Sequence, residues 1–177
     1  MLEYANSYLG FSIAIPSDWK VLSWRHTRLD ASRHCEYQFR DDDLPREVDR
    51  CKVLINASLY TPGSDIELDA EIELAIYRLT PGDELRASLL ENHKRLIPMY
   101  ESSGIKSVVT GEGCWTIGGV ELGYVDEELT SRSGHSRYRL VYRRIDDALW
   151  FYAKIAGHRE CAFAQAIKVV QGLSWPG

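Results

Sequence analysis

Between residues 51 and 76 hydrophobic and polar positions alternate almost without interruption. Val53, Ile55, Ala57 and Leu59 share one parity, which predicts a half-buried strand over residues 51–60. Thr61-Pro62-Gly63-Ser64 then sets Pro and Gly at the centre of a turn. Beyond it, Asp65, Glu67, Asp69, Glu71 and Glu73 fall on one face of a second strand, and Ile66, Leu68, Ala70, Ile72, Leu74 and Ile76 on the other. A hairpin that pairs Leu59 with Ile66, Ala57 with Leu68, Ile55 with Ala70 and Val53 with Ile72 joins apolar to apolar at every step. It also sets Lys52 across from Glu73.

Similar patterns predict strands over 4–8, 11–15, 21–28 and 34–40, with Pro16 stopping the second. Residues 41–50 hold five acids, two arginines and Pro45, which suits a solvated loop; the spacing of its aspartates is not that of a calcium loop. Thr80-Pro81-Gly82-Asp83 predicts a helix start, with Thr80 as cap, Pro81 in the first turn and Asp83 and Glu84 at the positive end of the dipole. Leu85, Leu89, His93, Leu96 and Ile97 follow helical spacing, and Pro98 is expected to kink or end the helix. Residues 105–115 and 120–129 predict a hairpin turning at Ile117-Gly118-Gly119, and 137–145 and 149–156 a second one turning at Asp146-Asp147. In that second hairpin Tyr138, Leu140 and Tyr142 are expected to share the core face with Phe151, Ala153 and Ile155. Arg137, Arg139, Val141 and Arg143 then lie beside Trp150, Tyr152 and Lys154, and Glu127 lies across from Arg139. Residues 158–171 predict a last helix with Phe163, Ile167 and Val170 inward, stopped by Gly172, with Leu173 and Trp175 folding back. The whole, residues 1–177, reads as a single α+β domain built on an antiparallel sheet.

Composition changes this picture little. A 45% hydrophobic and 27% charged chain of 177 residues has the make-up of an ordinary globular domain. A net charge of −5 argues against a nucleic-acid partner. The charge is uneven: residues 1–104 hold 18 acids and 12 bases, residues 105–177 hold 8 acids and 9 bases. No apolar run reaches the length of a membrane span, and no signal-like leader opens the chain, so a cytoplasmic protein with no membrane partner is expected. Cys35, Cys51, Cys114 and Cys161 form no ligand pair and are expected as reduced thiols in or near the core. The five histidines are scattered, and no nucleotide loop or nucleophile elbow is present. No catalytic residue, metal or cofactor is therefore expected.

Two stretches carry a family resemblance. Tyr8-Leu9-Gly10-Phe11-Ser12-Ile13-Ala14-Ile15-Pro16-Ser17-Asp18-Trp19 resembles the G-F-S-hydrophobic-x-hydrophobic-P-x-x-W opening of PsbP-like domains. Ala166-Ile167-Lys168-Val169-Val170-Gln171-Gly172-Leu173-Ser174-Trp175 resembles their last helix, which closes on a Ser-aromatic pair. The resemblance implies a central antiparallel sheet flanked by helices on both sides, a PsbP-like α-β-α sandwich. That superfamily includes an extrinsic photosystem II subunit, a Ran-binding nuclear import factor and bacterial chaperones of type VI effectors. Its members mostly bind proteins, and fold alone does not fix function.

The leading expectation is a non-enzymatic protein-binding module, in the manner of a chaperone or adaptor. Two faces offer themselves: the acidic row Asp65, Glu67, Asp69, Glu71 and Glu73, and the basic-aromatic set Arg137, Arg139, Arg143, Trp150 and Tyr152. An acidic row also guards an exposed strand against edge pairing, and Arg143 over Trp150 is also a plain intramolecular contact. One alternative is an enzyme or small-molecule binder, with Asp126, Glu128, His93 and Tyr124 converging. The other is a structural subunit of a homo-oligomer such as a homodimer, the acidic face of one copy meeting the basic face of the next.

Overall fold

The computed structural model describes residues 1–6, 9–23, 38–40, 51–63 and 67–175. The element order is β1 (Leu2–Asn6), β2 (Phe11–Ile15), β3 (Lys20–Ser23), β4 (Gln38–Arg40), β5 (Cys51–Tyr60), β6 (Leu68–Arg78), α1 (Leu85–Ser102), β7 (Lys106–Ile117), β8 (Val120–Ser131), β9 (Gly134–Arg144), β10 (Leu149–Gly157) and α2 (Glu160–Gln171). A seven-stranded antiparallel sheet runs β3-β5-β6-β10-β9-β8-β7, and a small sheet runs β2-β1-β4. The expected loop at residues 41–50, Asp65 and most of the strands expected at 21–28 and 34–40 lie outside the described residues.

The β5–β6 hairpin forms, but four residues out of the expected register. Leu59 pairs with Ala70, Ala57 with Ile72 and Ile55 with Leu74, and a bulge follows between Val53 and Ile55. From Ile55 to Leu59 this even slip keeps every side chain on its face, so alternation cannot distinguish the two registers, and Glu73 meets Asn56. The bulge adds an odd step beyond Ile55, so Lys52 meets Ile76. Nor is β6 an exposed edge: it lies between β5 and β10, so its carboxylates do not guard an edge.

The β9–β10 hairpin differs from expectation by an odd step, which does exchange faces. Tyr142 pairs with Tyr152, Val141 with Ala153, Leu140 with Lys154 and Arg139 with Ile155. Paired residues project to the same side, so Arg139, Val141 and Arg143 share the face of Phe151, Ala153 and Ile155. Trp150, Tyr152 and Lys154 belong to the opposite face, with Tyr138, Leu140 and Tyr142. Turn chemistry sets the step: the Asp146 carboxylate accepts the N–H groups of Ala148 and Leu149, both at 2.8 Å, and Ile145 N donates to Leu149 O at 2.9 Å. β10 is buried on both sides, so its own sequence holds no alternation that would set its phase.

One core joins Phe11, Ile13 and Ile15 of β2, Ile72, Leu74 and Ile76 of β6, Phe151 and Ile155 of β10, and Ala162, Ala166 and Val170 of α2. The stop at Gly172 holds as expected, and Leu173 and Trp175 fold back: Trp175 lies 5.3 Å from both Phe11 and Phe151. A second cluster joins Ala75, Trp150 and Tyr152 to Leu85, with Leu89, Leu140 and Tyr142 at its margin. Helix α1 begins at Leu85, not at Pro81, because Thr80–Asp83 closes a turn (Asp83 N to Thr80 O, 3.0 Å) with Gly82 at φ +95°. It also continues past Pro98 to Ser102, and the exposed proline is carried inside it. In the β7–β8 turn Gly118 and Gly119 have φ of +55° and +79°, the mirror-image turn that suits the twist of a hairpin.

Candidate functional site

Away from α2, the Phe151 side of the sheet ends in a half-exposed platform on β7, β8 and β9. Arg139 Nε and Nη2 donate to the two Asp126 oxygens at 2.7 and 2.8 Å, a bidentate clamp. The same guanidinium stands 4.4 Å from the Tyr124 ring centre and 5.1 Å from that of Trp115. The Asp126 hydrogen bonds raise the Arg139 pKa further, against its partial burial. Beside it Arg137 bridges Glu128 at 3.0 Å and Glu160 of α2 at 2.5 Å. Gly113 lets the Tyr124 ring lie flat on β7: a Cβ there would come within 3.2 Å of that ring. Val108, 40% exposed, extends the surface toward the edge of the sheet.

The expected binding residues are thus dispersed. Arg137 and Arg139 reach the platform, with Asp126 and not Glu127 across from Arg139. Arg143 stacks 5.0 Å over Trp175. Trp150 and Tyr152, 7% and 6% exposed, are buried on the other face beneath Leu85. Arg137, Arg139 and Arg143 therefore share no face with Trp150 and Tyr152; Trp115 and Tyr124 supply the aromatic part in their place. The sequence signal for these two rings is parity with Arg139, which depends on the phase of the hairpins that join β7, β8 and β9.

The acidic row is divided too. Asp69, 4% exposed, accepts the Thr61 hydroxyl at 2.9 Å and pairs with the Arg159 guanidinium. Glu71 accepts the Asn56 amide at 2.6 Å and the Lys154 ammonium at 3.0 Å. Burial pushes the Glu71 carboxyl up, but these two partners outweigh it and the group ends below its ordinary value. Burial pushes Glu73 up and Glu71 adds to it, while Lys154 offsets only part, so Glu73 ends above its ordinary value. Burial lowers the Lys154 pKa, yet the Glu71 hydrogen bond and the two carboxylate charges bring it above its ordinary value. Glu67 lines a cleft at the end of the sheet.

The expected convergence of His93 with Tyr124, Asp126 and Glu128 does not occur. His93 Nδ1 meets Glu127 at 3.0 Å, and the Ser107 hydroxyl donates to the same carboxylate oxygen at 2.6 Å. Glu127 is one residue out of phase with Asp126 and Glu128, so this cluster is on the α1 side and fastens that helix to β7 and β8. Cys114 and Cys161 are free thiols but exposed, not core residues. Among the described residues no group of His, Cys, Asp and Glu is placed to hold a metal ion, and no helix is long and apolar enough to cross a membrane.

No protein-family model and no curated protein matches the sequence. Solved structures do resemble the fold. The cyanobacterial PsbP protein (CyanoP) of Synechocystis sp. PCC 6803 superposes with a TM-score of 0.54 at 9% identity, covering 98% of this chain and 91% of its own. LpqN, described as involved in cell envelope biogenesis of Mycobacterium tuberculosis, superposes with a TM-score of 0.50 at 13% identity, covering 93% and 82%. The fold is PsbP-like: a large antiparallel sheet with two helices.

Proposed function

We propose that this protein is a non-enzymatic module that binds another protein, as an adaptor or chaperone does, through the Trp115–Arg139–Tyr124 platform. We take the layering to be an α-β-α sandwich, with Leu85 of α1 and Ala166 of α2 packing on opposite faces of β10. The platform is then sheet surface that neither helix covers. The observation that carries the proposal is the fixed guanidinium between two half-exposed rings. Trp, Tyr and Arg dominate binding hot spots, and side chains already held in place lose little entropy when a partner docks. The resemblance to PsbP-like domains, which mostly bind proteins, supports the same function.

The test is affinity capture from the native organism with the intact chain and with Trp115→Ser and Arg139→Ala variants. Both variants should lose a specific partner by about tenfold or more, a cost of about 1.4 kcal/mol or greater. Unchanged recovery by both variants, with circular dichroism showing them folded, would falsify the platform as the contact surface.

A further inference from the structure

A cleft of about 480 Å³ opens at the end of the large sheet where β8 and β10 finish and β6 and β9 begin. Its volume lies within the ~300–1,000 Å³ range of small-molecule sites. Leu68, Ile105 and Leu129 supply its apolar lining. The hydroxyls of Ser136 and Tyr138 and the imidazoles of His135 and His158 supply the polar part, with Ser136 directly beside Leu129 across the β8–β9 ladder. Ser136 Oγ stands 2.7 Å from His158 Nδ1, which fixes that ring and leaves Nε2 without a partner among the described residues. At the base, buried Asp69 grips Arg159, whose guanidinium is half exposed and has further N–H groups to offer.

The charge balance selects among ligands. Asp69 and Glu67 carry two negative charges against the one positive charge of Arg159, and both act on it. An anion would be repelled, and a cation would have to compete with Arg159 for those carboxylates. A purely apolar molecule would strip water from the hydroxyls and imidazoles without replacing their hydrogen bonds, which leaves buried polar groups unpaired. A neutral ligand with an apolar face and a rim of hydroxyls satisfies both kinds of lining at once. We infer that this cleft binds a neutral saccharide, its C–H face on Leu68, Ile105 and Leu129 and its hydroxyls on Ser136, His158 and Arg159. The platform is a separate surface, so either assignment stands without the other.

The probes are maltotriose, cellotriose and chitotriose, titrated into the intact ¹⁵N-labelled protein and followed by NMR. At least one should produce saturable shifts confined to residues 67–69, 129–138 and 158–159. The variant S136A/H158A should weaken that sugar by about tenfold or more. His135→Ala, at an exposed position, should weaken it too and serves if the double variant does not fold. Inorganic phosphate and spermidine should give no saturable shift in the cleft. Absence of a saturable response to all three sugars would overturn the assignment. So would saturation by phosphate at these residues, or sugar binding unchanged in the folded variants.

Discussion

β10 and β7 belong to one sheet and are held by the same ladder geometry, yet they are different kinds of strand. β10 is buried at every position except Lys154, with α2 on its Phe151 side and Leu85 on its Trp150 side. β7, at the sheet edge, is exposed or half-exposed up to Ile117, and its neighbourhood is held by Arg139–Asp126, Arg86–Glu112 and the Ser107–Glu127–His93 cluster. Apolar area removed from water stabilises the first at about 25 cal/mol per Å². Exposed and half-exposed charge pairs add little to the second, ~0–1 kcal/mol each. The lesson is a division of labour: the centre of the sheet supplies stability, and the flank, whose contacts contribute little to folding, is where recognition residues can be displayed.

Substitutions can break or sharpen that contrast. The largest effect is expected from Phe151→Ala, which removes a fully buried ring set 5.2 Å from Phe11 and 5.3 Å from Trp175. Chemical denaturation should show a loss of ~3–5 kcal/mol; a loss below 1 kcal/mol would contradict a single core around β10. Next comes Gly157→Ala. A Cβ there would lie 2.5 Å from Phe163 Cα, so α2 must move off the sheet, at ~1–3 kcal/mol. Gly113→Ala on the flank, where only the Tyr124 ring must yield, should cost less in the same assay.

Glu71→Gln should cost about 1–2 kcal/mol at neutral pH, because it leaves Lys154 without its half-buried counter-ion. The acid limb separates Glu71 from Glu73. Glu71 is depressed, so its stabilisation is present above the ordinary value of 4.5 and is lost as pH falls through its lower folded value. Glu73 is raised, so its ionisation costs stability, fully so above its folded value, and the cost is relieved as pH falls toward 4.5. Glu73→Gln should therefore raise stability at neutral pH and abolish the relief just above 4.5, leaving only the loss below it. A wild-type and Glu73→Gln pair with parallel pH profiles would refute this assignment. The smallest stability effect is expected from Arg139→Ala, about 0.5–1 kcal/mol, although the same change should weaken partner capture by about tenfold or more. A loss above 3 kcal/mol would make the platform a structural device.

Much of the fold was legible. The alternation from Leu68 to Leu74 gave the correct faces of β6, and Gly118-Gly119 and Gly172 marked real turns. The candidate site was less so. Arg139 alone does not reveal Trp115 and Tyr124, because those contacts cross from β9 to β8 and β7. Buried Asp69 is indistinguishable from Glu71 and Glu73 in the pattern; its contacts with Thr61 and with Arg159, ninety residues away, set it apart.

By itself the sequence determined which residues alternate, where the chain must turn and that the main sheet is antiparallel, since these depend on neighbours within a few residues. Only the tertiary structure decided which face the arginines occupy. Strand phase is set by a turn as small as the Asp146 loop, and a one-residue step in β9 against β10 moves every side chain to the other side. Charge and hydrophobicity can be read along a chain. Whether an arginine ends over Trp115 or beside Trp150 depends on pairing between distant strands, and that is fixed only when the whole sheet closes on its core.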